Sequence, residues 1–265
     1  MIKISDRRAL FLLSGLAAVA VLCVAGYGML NLDVYKPMTP DSLMPGTVSQ
    51  DLVSVIAAVG LLLCIGLVQR GREWAWLIWV GLLGYVLYAY ALYCFERLYN
   101  PLFLGYVAIF GLCVYALIGF FRSADLSKIG PVPDRRDPPR RAAAALFLVL
   151  VAMFLFLWLS ILLPAMRDRI APEGSAIFVM DLSFFLPLLT TVAVLLLKKH
   201  PLGDALVIPL LIKVGTLGVS VLLATLFAER FGQPFDISSV GIYGLLGLGP
   251  LAFVIPFWRS FRITT

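Results

Sequence analysis

Apolar residues run along this chain in long unbroken blocks, and the polar residues are confined to the gaps between them. A block of roughly 18 to 20 apolar residues is enough to cross a hydrocarbon core of about 30 Å as a helix. Eight such blocks are predicted as spans, at about 9–30, 51–69, 74–95, 101–121, 143–164, 178–197, 204–227 and 239–258. The pattern thus predicts an all-α fold, a polytopic transmembrane helix bundle of about eight helices. Gln69-Arg-Gly-Arg-Glu73 and Lys198-Lys-His-Pro201 are too charged to lie in lipid, so each separates two spans rather than interrupting one.

Composition agrees. Of 265 residues 62% are hydrophobic and 14% charged, whereas a soluble domain carries about 25% charged residues. Met1 to Arg8 followed by an apolar run is similar to the start of a secretory signal, but the run is long and no small-x-small cleavage site follows, so the first span is expected to be retained. Cys23, Cys64, Cys94 and Cys113 all fall inside spans with no C-x-x-C pair, which points to packing rather than to a redox centre or a disulfide framework.

Charge sets the expected orientation. Fifteen lysines and arginines, running from Lys3 and Arg7 through Arg135 and Arg136 to Arg262, fall in segments on the side of the N-terminus. Five, Lys36, Arg97, Arg167, Arg169 and Arg230, fall on the other side. The positive-inside rule then predicts cytoplasmic termini in a bacterial cytoplasmic membrane. With no soluble basic face, a nucleic-acid partner is not expected.

The chain also reads as two halves: residues 1–121, a basic, proline-rich linker over 122–141, and residues 142–265. Glu96-Arg97-Leu-Tyr-Asn100-Pro101 and Glu229-Arg230-Phe-Gly-Gln233-Pro234 stand 133 residues apart at equivalent places, and Ile118-x-Phe-x-Arg-Ser123 matches Ile255-x-Phe-x-Arg-Ser260. Four spans per half would make the repeat parallel, one of the two symmetric plans of secondary transporters, with a site between the halves. Chance matching in a chain of few residue types is the competing explanation.

Within the spans, Lys213 stands out. It falls near the bilayer midplane, where a charge costs about 2.5–3.5 kcal/mol on insertion scales, so it should find a partner or a wet cavity. Asp181 is the expected partner if their helices touch; a purely structural ion pair is the plain alternative. Asp51, Asp181, Glu96 and Glu229 are placed at one end of their spans, where four carboxylates around a mouth could bind a cation or an amine. For Asp51 ordinary helix capping is the preferred reading, and Glu96-Arg97 and Glu229-Arg230 also read as interfacial pairs. Tyr85, Tyr88, Tyr90 and Tyr93 occupy two faces of span three, read as aromatic packing with interhelical hydrogen bonds in preference to a hydroxyl-lined path toward Asn100. Trp74, Trp76 and Trp79 are expected at the lipid interface, and Gly241, Gly244, Gly247 and Gly249 at a close helix contact. The ligand-binding candidates are therefore Lys213, Asp181, Glu96, Arg97, Asn100, Glu229, Arg230 and Tyr88.

With His200 the single histidine, no metal site is expected and no cofactor; there is no phosphate-binding Gly-x-x-x-x-Gly-Lys-Ser/Thr loop and no Gly-x-Ser-x-Gly elbow. Tyr99-Asn-Pro-Leu-Phe-Leu-Gly-Tyr106, Asp181-Leu-x-Phe-x-Leu-Pro187 and Lys213-Val-Gly-Thr-Leu-Gly218 resemble stretches of multi-spanning bacterial membrane proteins of uncharacterised activity. That resemblance implies the architecture and no activity. The leading expectation is a secondary transporter or permease-like protein for a small solute. Next is a membrane subunit or sensor acting through helix contacts, with itself or another membrane protein, and last a membrane-embedded enzyme on lipid-linked substrates.

Overall fold

The computed structural model describes residues 4–36, 38–131 and 137–263. Lys3, Arg135, Arg136 and much of the proline-rich linker lie outside the described residues. Among the described residues eight helices are long and apolar enough to cross a membrane: α1 (Ile4–Leu30), α2 (Met44–Gln69), α3 (Ala75–Phe95), α4 (Phe103–Ser123), α5 (Arg140–Asp168), α6 (Ser175–Leu197), α7 (Pro201–Phe227) and α8 (Ile237–Ser260). The chain is therefore read as a multi-pass integral membrane protein.

Span two departs from expectation at its start. The helix begins at Met44, with Pro45 in its first turn, where a missing N–H costs nothing. Polar Thr47, Ser49, Gln50 and Asp51 thus lie inside the helix. They do not precede it.

Helices α1 to α4 pack as a closed ring, each against two neighbours, around a core that includes Leu61, Trp79, Tyr90 and Phe120. Helices α5 to α8 do not close in the same way: α5 packs on α6, α6 on α7 and α7 on α8, whereas α5 and α8 share no extensive contact. Helix α7 is the centre of the molecule, touching α2 and α3 as well as α6 and α8. Its contact with α8 is backbone to backbone. A Cβ on Gly218 would come within 2.6 Å of the Cα of Gly247, so only glycine permits this approach. Before α8, the Asp236 carboxylate accepts bonds from the hydroxyls and amides of Ser238 and Ser239, and those donors hold its pKa down to about 2.

Helix α3, enclosed by α2, α4 and α7, has no lipid-facing side to give its tryptophans. Trp76 and Trp79, expected at the lipid interface, are instead fully buried. Trp76 stacks on Phe11 at 5.5 Å and meets Trp79 edge-on at 5.1 Å. Trp74, partly buried, packs edge-on against Trp258.

The end of the bundle holding the start of α1 is fastened by charge and by a short ribbon. Arg7 donates to both oxygens of Glu73, at 2.7 and 3.0 Å, and Arg140 donates to both oxygens of Asp204 at 2.7 Å each. Such bidentate pairs are the strong form of the guanidinium–carboxylate bond. Between α4 and α5, strand β1 (Ile129–Pro131) pairs antiparallel with β2 (Phe261–Ile263), which follows α8.

Candidate functional site

The loops at the opposite end lead into a cavity of about 420 Å³, within the usual range for small-molecule sites. Met38, Pro40, Glu96 and Gly174 lie at its mouth; Leu150, Leu189 and Val214 lie at the level of the helix centres. Its walls come from α2, α3, α5, α6, α7 and α8 and are chiefly aliphatic and aromatic, with Thr47, Ser49 and Gln50 of α2 adding polar groups.

The polar centre of this cavity is Asp181, 5% exposed. Local backbone explains its position. Pro187 has no N–H to give, and its ring would strike the carbonyl four residues earlier in a regular helix. The preceding stretch Asp181–Phe185 is wound as a π turn, in which the N–H of Leu186 reaches back five residues to the carbonyl of Asp181. The side chain is held from two other helices: the Tyr88 hydroxyl on α3 donates to Oδ1 at 2.8 Å, and the Trp158 indole N–H on α5 donates to Oδ2 at 2.9 Å.

Lys213 is the thirteenth residue of the 27-residue helix α7 and is 5% exposed. Its ammonium lies 3.0 Å from the ring centre of Phe185 and 3.9 Å from that of Tyr88, two residues that line the cavity. Among the described residues Nζ makes no hydrogen bond, and no carboxylate oxygen lies within 4.0 Å of it. Lys213 and Asp181 are therefore neighbours across the Tyr88 ring and do not form a direct ion pair. The ring faces supply what a carboxylate was expected to supply.

The other candidates divide. Glu96 sits at the mouth, where its Oε1 accepts the backbone N–H of Ala176 and so caps the first turn of α6. Asn100 is buried away from the cavity; it caps the start of α4 through Leu102 N–H at 2.9 Å and donates to the Tyr106 hydroxyl at 3.0 Å. Arg97, in the left-handed region at φ 57°, is exposed, as are Glu229 and Arg230 in the turn Ala228–Phe231. None of these three lines the cavity. The four carboxylates expected around one mouth do not assemble there.

Asp51 is the clearest correction. It caps nothing: lying eight residues into α2 and 1% exposed, it accepts hydrogen bonds from the hydroxyls of Tyr35 and Tyr93, the latter at 2.9 Å. Tyr35 belongs to the loop after α1, so this carboxylate fastens that loop to the bundle. Tyr85 bonds the carbonyl of Gln50 at 3.3 Å, while the Tyr90 hydroxyl has no hydrogen bond among the described residues and Tyr90 meets Tyr93 edge-on. The lone histidine is a cap, its Nδ1 accepting the N–H of Leu202 at 3.2 Å.

Sequence reasoning missed Trp158 and Phe185. Phe185 stands four residues after Asp181, a spacing that places two side chains on neighbouring turns. Trp158 is a solitary tryptophan in an apolar run of leucines and phenylalanines, far from those at the other end. No family model matches the chain, and no curated protein or solved structure does so either.

Proposed function

We propose that this protein is a secondary transporter or permease-like protein that takes a small solute into the cavity beside Asp181. The observation that carries the reading is a buried carboxylate held by Tyr88 and Trp158 on the wall of a cavity open at one end of the bundle, with the Lys213 ammonium one ring away. Intramembrane charges are costly to place and, where present, usually mark substrate or ion pathways. The parallel halves, 1–121 and 142–265 about the linker, belong to the same proposal, as does a bacterial cytoplasmic membrane with both termini in the cytoplasm. The excess of basic residues at the ribbon end supports that orientation.

Uptake or exchange in proteoliposomes, run over panels of small cations, anions and neutral solutes, tests the activity. Flux of at least one solute is expected, with Asp181→Ala and Lys213→Ala both impaired; no flux, or variants that match the parent, would sink the proposal. For orientation, a single cysteine replacing Ser123 in a cysteine-free background should react with an impermeant maleimide in inverted vesicles and stay protected in intact cells. The reverse pattern overturns the assignment.

A second reading, a membrane subunit acting through helix contacts, is favoured by one feature. A Cβ on Gly241 or Gly244 of α8 would meet nothing within 4 Å, so this small-residue face is left open for another helix. Stable copurification of a single membrane partner, lost in Gly244→Leu, would favour it.

A further inference from the structure

We propose that the solute class is an organic cation with an apolar body, recognised by Asp181 and the surrounding ring faces. This inference rests on the cavity's being a solute site, and it concerns what that site selects.

Charge comes first. The described residues that line the cavity include two carboxylates, Glu96 at the mouth and Asp181 at depth, and no lysine, arginine or histidine. An anionic head group would have to be desolvated against these carboxylates with no basic group on the wall to meet it. A cation meets the opposite situation. Each Asp181 oxygen accepts one hydrogen bond from the wall, and an ionised carboxylate has about four acceptor sites, so capacity remains on the cavity side.

The rings make the same selection. Tyr88, Phe154, Trp158, Phe185 and Tyr243 all line the cavity. The faces of such rings are negative, and pairs or cages of them hold ammonium groups with little help from water. The molecule already contains one instance of this chemistry, because the Lys213 ammonium rests on the faces of Tyr88 and Phe185 without a hydrogen bond. Lys213 itself does not line the cavity. It is a tethered cation behind the wall, and a ligand cation in front of the wall leans on the same carboxylate. The two compete electrostatically, since like charges that share one counter-ion in a low-dielectric site repel. An aliphatic floor of Leu150, Leu189 and Val214 fits the apolar part of the ligand.

The experiment uses the full-length protein in nanodiscs and two probes of nearly equal shape: benzyltrimethylammonium and neopentylbenzene, in which carbon replaces the quaternary nitrogen. Binding is read from tryptophan fluorescence. Trp158 is in the cavity wall, whereas Trp74, Trp76, Trp79 and Trp258 lie at the other end of the bundle. The ammonium is expected to bind about tenfold or more tightly than the hydrocarbon. Asp181→Asn should remove that preference, and Lys213→Met, which keeps the bulk and deletes the charge, should tighten the ammonium by about tenfold.

Equal binding of the two probes to the parent protein overturns the proposal and needs no variant to be folded. So does a preference for the ammonium that survives unchanged in Asp181→Asn, which would show that this carboxylate does not recognise the cation. Because binding is read without flux, a protein that selects the ammonium but carries nothing refutes the transporter reading alone, and one that carries other solutes without cation selectivity refutes this inference alone.

Discussion

A Cβ on Gly28 would run into the Tyr35 hydroxyl and come within 2.8 Å of Asp51 Oδ2, so the hydrogen bond that fastens the loop after α1 exists only because this position has no side chain. Gly28→Ala is expected to destabilise by about 1–3 kcal/mol through overpacking. Tyr35→Phe leaves a buried carboxylate short of a donor and should cost about 1–3 kcal/mol. The two act on one contact, so the double variant should lose less than the sum. Thermal melting of the detergent-solubilised protein checks this, and strict additivity would show that the positions are independent. Asp51 also shows where reading by residue failed. Hydropathy ends an apolar block at the first cluster of polar side chains, and Thr47 to Asp51 form such a cluster; their partners, Tyr93 on α3 among them, are what make those residues compatible with a helix interior. The proline at the second position of α2 was the available signal.

At the scale of elements, the π turn in α6 sets how much change that helix tolerates. A π turn absorbs one residue more than a regular turn, so the flanking segments keep the facing they would have in a helix one residue shorter. Deleting Ser183, which is exposed within the turn, while replacing Pro187 with Ala to relieve its clash, should leave a regular helix with both flanks still facing their partners. Deleting Thr191 from the regular part rotates everything beyond it by about 100° and swings Val192, Ala193 and Leu196 out of the core. The yield of monodisperse protein on gel filtration should be near parental for the first and collapse for the second. Equal loss in both would show that the wide turn is not what sets the tolerance. The sequence carried no sign of this turn beyond Pro187, because whether a proline kinks, ends or widens a helix is decided by its neighbours.

For the whole molecule, the eight spans were legible because lipid leaves few options for a backbone that must satisfy its own hydrogen bonds. Their arrangement was not. Asp181, Tyr88 and Trp158 come from three helices, with the tyrosine 93 residues away in sequence from the aspartate it bonds, and nothing in apolar composition says which helices touch. Lys213 could be singled out because a charge at that depth is rare, but the rings that receive it could not be named. The same limit explains the buried tryptophans, whose placement follows from α3 having neighbours on all sides.

The ribbon of β1 and β2 bears on movement. It ties the chain a few residues beyond α4 to the chain directly after α8, at the end opposite the cavity mouth. If α1–α4 and α5–α8 rock against each other, the stitched end is the pivot and has the least travel. Displacement then grows with distance from the ribbon, as it does along the jaws of a clothes-peg, and is greatest where Glu96 and the first turn of α6 meet across the mouth.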